Sequence, residues 1–89
     1  MKTPRRTSQF KKDVKRMGNR GNKFEVFKEV IRKLVAGESL DSKYRDHLLV
    51  GQYKGTRECH IEPDWLLIYE VNETELLLIR TGTHSDLFK

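Results

Sequence analysis

Three strand-like segments separated by very short turns are the feature that most constrains the fold. They span Arg57–Glu62, Trp65–Val71 and residues 75–83, so that two and three residues separate them. Connections this short join antiparallel neighbours, because a parallel crossover needs about a dozen residues or more. Near-continuous apolar runs in the last two segments indicate central strands covered on at least one face. The sequence therefore predicts an antiparallel meander, with a further short strand at residues 48–50.

Two amphipathic helices precede the strands. Thr7 or Ser8 is the expected N-cap of the first helix, which begins near Gln9 and ends at Gly18. The second helix is expected over residues 23–36. Apolar side chains recur three and four positions apart in both, which places them on one face of each helix and predicts a helical hairpin. These stripes consist of Phe10, Val14 and Met17 in the first helix and Phe24, Phe27, Ile31 and Leu34 in the second.

This order of elements predicts an α+β fold, with the two-helix hairpin packed on one face of a small, mainly antiparallel, curved sheet. The other face of the sheet is expected to stay open. A chain of 89 residues has room for one hydrophobic core, so we expect a single domain, residues 1–89. No apolar run approaches the roughly 20 residues that span a bilayer, and the basic start lacks the apolar segment of a signal peptide. We therefore expect a cytoplasmic protein that does not associate with membranes.

The charge of the chain is distributed unevenly. The net charge is +5, but residues 1–36 alone carry twelve basic and three acidic side chains, or +9, whereas the remaining residues carry −4. A basic amino-terminal half is typical of proteins that bind a polyanion such as nucleic acid or an acidic protein. A solvated helical face that serves only solubility is the alternative explanation.

Three histidines lie far apart in the sequence, yet the strand pattern brings them together. His47 precedes one strand, His60 lies within the next, and His84 is expected at the end of the last. Alternation along Arg57–Glu62 puts Glu58 and His60 on one face and Cys59 on the other. Because Cys59 suits the helix-covered face, the imidazole of His60 is expected on the open face.

These groups match the needs of RNA cleavage by internal transesterification. Histidine can transfer protons near neutral pH, the Arg80 guanidinium can bind phosphate, and the rings of Trp65 and Phe88 can stack on bases. Each residue also has an ordinary explanation, since Trp65 could be core and Asp64 a turn residue. A histidine–aspartate metal site is the rival, but the helical spacing of metalloproteases is absent. We expect neither a metal nor another cofactor.

Two carboxy-terminal blocks carry a specific resemblance. "YKGTRECHIEPDWLLIYEV" and "LLLIRTGTHSDLF" closely resemble the YafQ branch of the RelE-type toxins of bacterial type II toxin–antitoxin systems. The amino-terminal "TSQFKKDVKRM" is similar to the first helix of that branch, so the resemblance covers nearly the whole chain. It implies a RelE-like microbial ribonuclease fold and an endoribonuclease that cuts messenger RNA in the ribosomal A site.

The resemblance also implies roles for individual residues. His84 would be the principal acid–base group, His60 and Asp64 would complete the catalytic site, and His47 would be a further active-site histidine. The residues expected to contact RNA are Arg80, Trp65 and Phe88 at the site and, on the basic first helix, Lys11, Lys12, Lys15 and Arg16.

The implied partners are the ribosome, messenger RNA and a cognate antitoxin. The antitoxin would have an acidic segment that wraps the toxin and a DNA-binding amino terminus, so that operator DNA is reached only through it. Two other functions remain open: a ParE-like toxin that targets DNA gyrase, and a non-catalytic RNA-binding module.

Overall fold

The structure is a computed structural model that describes residues 1–88, except for the side chain of Gln52. Two short 3₁₀ turns, Ser42–Tyr44 and Gly51–Tyr53, flank the second strand. The helices and strands of this part of the chain are β1 (Thr3–Arg6), α1 (Ser8–Asn19), α2 (Glu25–Val35), β2 (His47–Leu48), β3 (Arg57–Glu62), β4 (Trp65–Val71), β5 (Glu75–Gly82) and α3 (His84–Leu87).

The strands form one mixed sheet in the order β1-β5-β4-β3-β2. The pairs β2–β3, β3–β4 and β4–β5 are antiparallel, whereas β1 lies parallel to β5. The predicted α+β class and the antiparallel meander are therefore confirmed. The bounds predicted for β3 and β4 are those observed, whereas β2 occupies residues 47–48 and so contains His47.

The core lies between the sheet and the helices α1 and α2. Four aromatic rings form its centre, with Phe27 stacked on Trp65 at 5.3 Å between ring centroids and Phe10 and Phe24 packed around that pair. Cys59 and Ile61 of β3 point into this layer, as the alternation along the strand predicted. The remaining buried members of the cluster are Met17, Val30, Leu34, Tyr44, Leu67, Tyr69, Leu76 and Leu78.

The sequence pattern did not predict β1. Its four residues are all exposed and carry no apolar alternation, and Pro4 lacks an N–H donor. The strand forms because the outer edge of β5 offers backbone partners to residues 3–6. Thr7 follows at once, accepts a hydrogen bond from the Phe10 N–H at 2.9 Å, and donates one to the Ile79 carbonyl at 2.8 Å. Thr7 therefore caps α1 and also connects the start of this helix to β5 by a hydrogen bond.

The second face of the sheet is less open than expected. It carries a small apolar cluster in which Leu66 and Ile68 of the sheet pack against Leu87, with Leu49 and Tyr53 at its margin. Leu87 belongs to α3, a four-residue helix that is too short to be predicted from a periodic pattern. The strand expected to reach residue 83 instead ends at Gly82, and the chain turns back over this face.

The longest helix, α1, has 12 residues. Within residues 1–88, no helix combines the length and the apolar character that a membrane crossing requires.

Candidate active site

The three histidine side chains meet on the face of the sheet opposite α1 and α2. The ring centroids of His47 and His60 are 6.3 Å apart, and those of His60 and His84 are 5.8 Å apart. His60 pairs with Leu66 across the β3–β4 ladder, and paired residues share a face, which puts His60 on the side of the second apolar cluster. The structure thus brings together the imidazoles that the strand pattern predicted to converge.

His84 is oriented by Asp64. Its ring Nδ1 donates to Asp64 Oδ1 at 2.6 Å, and its backbone N–H donates to the same oxygen at 2.9 Å. These two bonds from His84 hold the pKa of the Asp64 carboxyl below its usual range, because both stabilise the carboxylate. Asp64 lies in the β3–β4 turn, as predicted. Its bond to Nδ1 fixes the Nδ1–H tautomer of His84, and Nε2 of this ring forms no bond to the turn.

The short helix α3 places His84. Thr83 and Asp86 form a reciprocal capping box at its start, with bonds of 2.9 and 3.1 Å. Arg20, the C-cap residue of α1, binds the Asp86 carboxylate at 2.7 Å and holds the pKa of Asp86 well below its usual range. A Cβ atom at Gly82 would lie only 2.9 Å from Asp86 Oδ2. Glycine at this position therefore allows α3 to close onto β5.

A buried carboxylate lies between the other two histidines. Glu58 is 6% exposed, and its Oε1 is 3.6 Å from His47 Nε2 and 3.8 Å from His60 Nε2. Alternation along β3 predicted that Glu58 shares the face of His60, but the pattern indicated no role for it. Its period-two spacing from His60 on the same strand is the signal that would have identified it.

His60 is the most enclosed of the three histidines. Burial lowers its pKa, and the positive charges of His84, Arg45 and His47 lower it further, against an opposing effect of the Glu58 carboxylate. Its Nδ1 is buried and has no hydrogen-bond partner among residues 1–88. The neutral imidazole is therefore the form that this position favours.

His47 is oriented by the backbone of the preceding turn. Its Nδ1 donates to the Arg45 carbonyl at 2.7 Å. Arg45 has a φ of +50°, and such left-handed backbone is uncommon for residues other than glycine. This conformation ends the 3₁₀ turn and aims the carbonyl at the imidazole, so that Nε2 of His47 faces Glu58.

Arg80 shares the face of the histidines, but its guanidinium is largely committed within the protein. A β-bulge opposite Ile68 and Tyr69 precedes it on β5. Its Nε donates to Asp13 Oδ2 at 2.7 Å, and its Nη1 lies 3.4 Å from the Tyr53 hydroxyl. Only the part of the guanidinium that Asp13 leaves free is therefore available for the expected contact with phosphate.

The expected stacking of bases on Trp65 is wrong. The indole is 1% exposed, packs between Phe24 and Phe27, and donates from Nε1 to Thr81 Oγ1 at 2.9 Å. Trp65 begins β4 with its side chain on the helix-covered face, the same face to which Leu67 and Tyr69 of that strand point. The ordinary core explanation is the correct one.

Phe88 is the exposed aromatic group near the site. It is 39% exposed and packs edge to face against Tyr53, with 5.6 Å between ring centroids. Tyr53 is half-buried and was missed, because its 3₁₀ turn has no periodic pattern.

The basic residues of α1 fall into two groups. Lys11, Lys12 and Lys15 are exposed, as an RNA-binding role requires. Arg16 instead donates to Asp13 Oδ1 at 3.0 Å and lies 3.7 Å from Asp86 Oδ2. Its guanidinium is a structural link between α1 and α3, which corrects the expectation that it is free to bind RNA.

In the part of the chain that the structure describes, no group of three histidine, cysteine, aspartate or glutamate side chains is arranged to hold a metal ion. Burial raises the pKa of the Cys59 thiol to about 12, so this side chain is a buried apolar group.

Comparisons with known proteins identify relatives of the same fold. A structure of the E. coli DinJ–YafQ complex superposes on the chain with a TM-score of 0.93 at 37% identity, with all of both chains covered. A metal-bound toxin from Helicobacter pylori superposes with a TM-score of 0.91 at 39% identity, covering 99% of this chain and all of that one. The mRNA interferase toxin YafQ of E. coli K12 is 40% identical over 83 residues, which is 92% of this chain and 90% of that protein.

The family model "Bacterial toxin of type II toxin-antitoxin system, YafQ" matches residues 2–89. The arrangement of imidazoles and carboxylates thus lies on the scaffold of a known group of toxins. The chain belongs to the YafQ family of type II toxin–antitoxin system toxins.

Proposed function

We propose that this toxin is an endoribonuclease that cuts messenger RNA on the translating ribosome by acid–base chemistry of its histidines. The observation that carries the proposal is the row of imidazoles, with His60 between His47 and His84 at 6.3 and 5.8 Å. Two rings at such a separation can reach the two reacting oxygens of one phosphodiester, each at a hydrogen-bond distance of about 3 Å. The name of the E. coli relative, mRNA interferase toxin, supports the same activity.

The reaction needs two proton transfers. One imidazole accepts the proton of the ribose 2′-hydroxyl as its oxygen forms a bond to phosphorus. The bond from phosphorus to the 5′-oxygen breaks, and a second imidazole donates a proton to that leaving oxygen. The products are a 2′,3′-cyclic phosphate and a 5′-hydroxyl. His60 and His84 share these roles, Asp64 orients His84, and the part of the Arg80 guanidinium left free by Asp13 faces the phosphate charge.

Dependence on the ribosome follows from the small size of the site. Phe88 is the exposed aromatic side chain next to Tyr53, and it offers one stacking surface for an unpaired base. The exposed lysines of α1 supply a sequence-independent attraction to ribosomal RNA. A ribosome that holds the message in place would supply the positioning that the protein lacks, and positioning alone can lower a barrier by several kcal/mol.

An antitoxin is the partner that the family implies, since the E. coli relative was solved as a DinJ–YafQ complex. The net charge of +5 favours an acidic partner segment. We propose that operator DNA is contacted through this antitoxin and that the toxin acts in the cytoplasm, where messages are translated.

The test is cleavage of a defined message on programmed ribosomes by the wild type and by His84→Gln. The wild type should produce new ends with a 2′,3′-cyclic phosphate or 3′-phosphate, and His84→Gln should reduce the rate at least about 10²-fold, the lower bound for loss of an acid–base group. Ser85→Ala, an exposed change next to His84, is the matched control and should keep full activity.

The test also separates the other two functions. DNA breaks on expression with intact messages would point to a gyrase toxin. Ribosome binding with no new ends, at equal strength in the wild type and in His84→Gln, would point to a non-catalytic module. Either result would contradict the proposal.

A further inference from the structure

A groove of about 450 Å³ opens beside His60, at the end of the sheet where β3 turns into β4. One wall is the segment that contains Lys43, Tyr44 and Arg45, and the opposite wall is the β3–β4 turn with Glu62. Val26, Ile61 and Pro63 complete its lining. Because His60 lies in the lining, the groove borders the row of histidines.

The groove contains two cations, and one of them, the Lys43 ammonium, lies 5.2 Å from the centroid of the Tyr44 ring. Lys43 and Arg45 are exposed and form no ion pair with any of the residues from 1 to 88. Two nearby guanidinium groups are already in ion pairs, because Arg57 binds Asp46 at 3.0 Å and Arg80 binds Asp13 at 2.7 Å. The positive charge that remains available next to His60 therefore lies in this groove.

We propose that the groove binds the nucleotide adjacent to the cleaved bond, with Lys43 and Arg45 on its phosphate and Glu62 on the edge of its base. The inference rests on the proposed ribonuclease function and adds a second binding position to it. An RNA strand whose cleaved phosphate lies at His60 and His84 must continue past one side of His60. On the side of the β3–β4 turn, it enters the groove.

The acidic residue favours RNA over an acidic peptide as the occupant. Glu62 is exposed at the end of β3, where the register shifts between His60 and Glu62. A carboxylate repels an acidic peptide but accepts hydrogen bonds from the amino groups of cytosine, adenine or guanine. Tyr44 is buried and offers no stacking surface, so the base would be held by its edge.

The backbone of Arg45 determines the variants that test the groove. Its left-handed conformation directs the carbonyl to His47, and asparagine tolerates this conformation better than most residues. Arg45→Asn combined with Lys43→Gln therefore removes two positive charges while keeping the turn. The control is Arg6→Asn with Lys28→Gln, which removes the same charge from a groove on the other face, between β1 and the helices.

Cleavage of ribosome-bound message is then measured over a range of salt concentrations. Measured at the pH optimum of each protein, the Lys43→Gln/Arg45→Asn variant should raise KM about tenfold with little change in kcat. The slope of log KM against log salt should fall by about 0.7 for each lost phosphate contact, the value for single strands. The control variant should keep the wild-type slope. An unchanged KM and slope, or a loss confined to neutralisation by the antitoxin, would overturn the proposal.

Base recognition is tested by Glu62→Gln. The wild type should prefer a base with an exocyclic amino group next to the cut, and this preference should weaken about tenfold in the variant. Identical cut patterns would show that Glu62 does not contact the base.

Binding separates this inference from the proposed activity. His84→Gln protein should bind programmed ribosomes, and adding Lys43→Gln/Arg45→Asn should weaken that binding about tenfold. If the wild type leaves messages intact, the ribonuclease proposal fails. The binding measurement then still shows whether the groove binds RNA. Equal binding with and without the two changes would reject the groove.

Discussion

The carboxylate of Asp13 on α1 is completely buried and binds Arg80 of β5 through two hydrogen bonds, from Nε at 2.7 Å and from Nη2 at 3.2 Å. The same carboxylate accepts from the Thr81 backbone N–H at 3.1 Å. β1 pairs with β5 only as far as Leu78, so Asp13 supplies the acceptor that the β5 edge lacks beyond that point. One side chain of the first helix thus completes the last strand and orients its arginine.

Asp13→Asn should destabilise the protein by about 3 kcal/mol, because it leaves the Arg80 guanidinium half-buried without its counter-charge. Burial raises the pKa of Asp13, but the bonds from Arg80, Gln9 and Thr81 outweigh it and hold the pKa below 3.8. This contribution is therefore fully present above about pH 4 and is lost as pH falls through the lowered value. Urea unfolding at pH 7 and pH 3 measures both effects. Glu38→Gln, an exposed change, should alter stability by less than about 0.5 kcal/mol.

If His60 and His84 share proton acceptance and donation as proposed, the rate of cleavage should follow a bell-shaped pH profile. Burial and the neighbouring charges of His84, Arg45 and His47 lower the pKa of His60, so one limb should lie below pH 6.5. Arg45→Asn removes one of these charges and should move that limb upward. Single-turnover rates between pH 5 and 9 test this prediction. A profile that is flat over this range would argue against histidine chemistry.

Asp64→Asn should lower the cleavage rate about 10²-fold with almost no loss of stability. The side chain is exposed and forms no part of the core, but it fixes the tautomer and orientation of His84 through Nδ1. Asparagine can still accept the backbone N–H, so the turn should remain intact. Thermal unfolding and single-turnover cleavage of the same preparation separate the two effects. A variant as active as the wild type would show that His84 needs no orienting partner.

Trp65→Phe should retain most of the cleavage activity, because the indole is in the core and does not stack on bases. It should cost about 2 kcal/mol of stability, from the lost bond to Thr81 and a smaller ring. Trp65→Ala should cost about 3–5 kcal/mol. Phe88→Ala should show the opposite pattern, with a raised KM and little effect on urea unfolding. A raised KM in Trp65→Phe at full stability would restore a substrate-binding role for this residue.

Local patterns predicted most of the fold. The period of the apolar residues defined α1 and α2, and short turns made β3, β4 and β5 an antiparallel meander. Alternation also put His60 on the face away from Cys59. These features depend on neighbours in sequence, so a single chain contains enough information to find them.

Other features depended on partners distant in sequence. β1 has no pattern of its own and exists because β5 has a free edge. α3 follows the predicted strand directly and has only four residues, too few for a periodic pattern, and it is defined by the capping box of Thr83 and Asp86. The roles of Trp65, Arg16 and Arg80 changed because burial and ion pairing are set by what packs against a side chain.

The sequence by itself determined which chemistry this protein has available, because the identities of His47, His60, His84 and Asp64 are given by the chain, and the strand period put His60 on the face away from the helices. Only the tertiary structure decided how these groups are used. Three contacts join residues that lie up to 67 positions apart in the sequence. Glu58 lies between two imidazoles, Asp64 binds His84, and Asp13 binds Arg80. Hydrogen bonds and burial act at distances of a few ångströms, and only packing of the helices on the sheet brings such distant residues within that range.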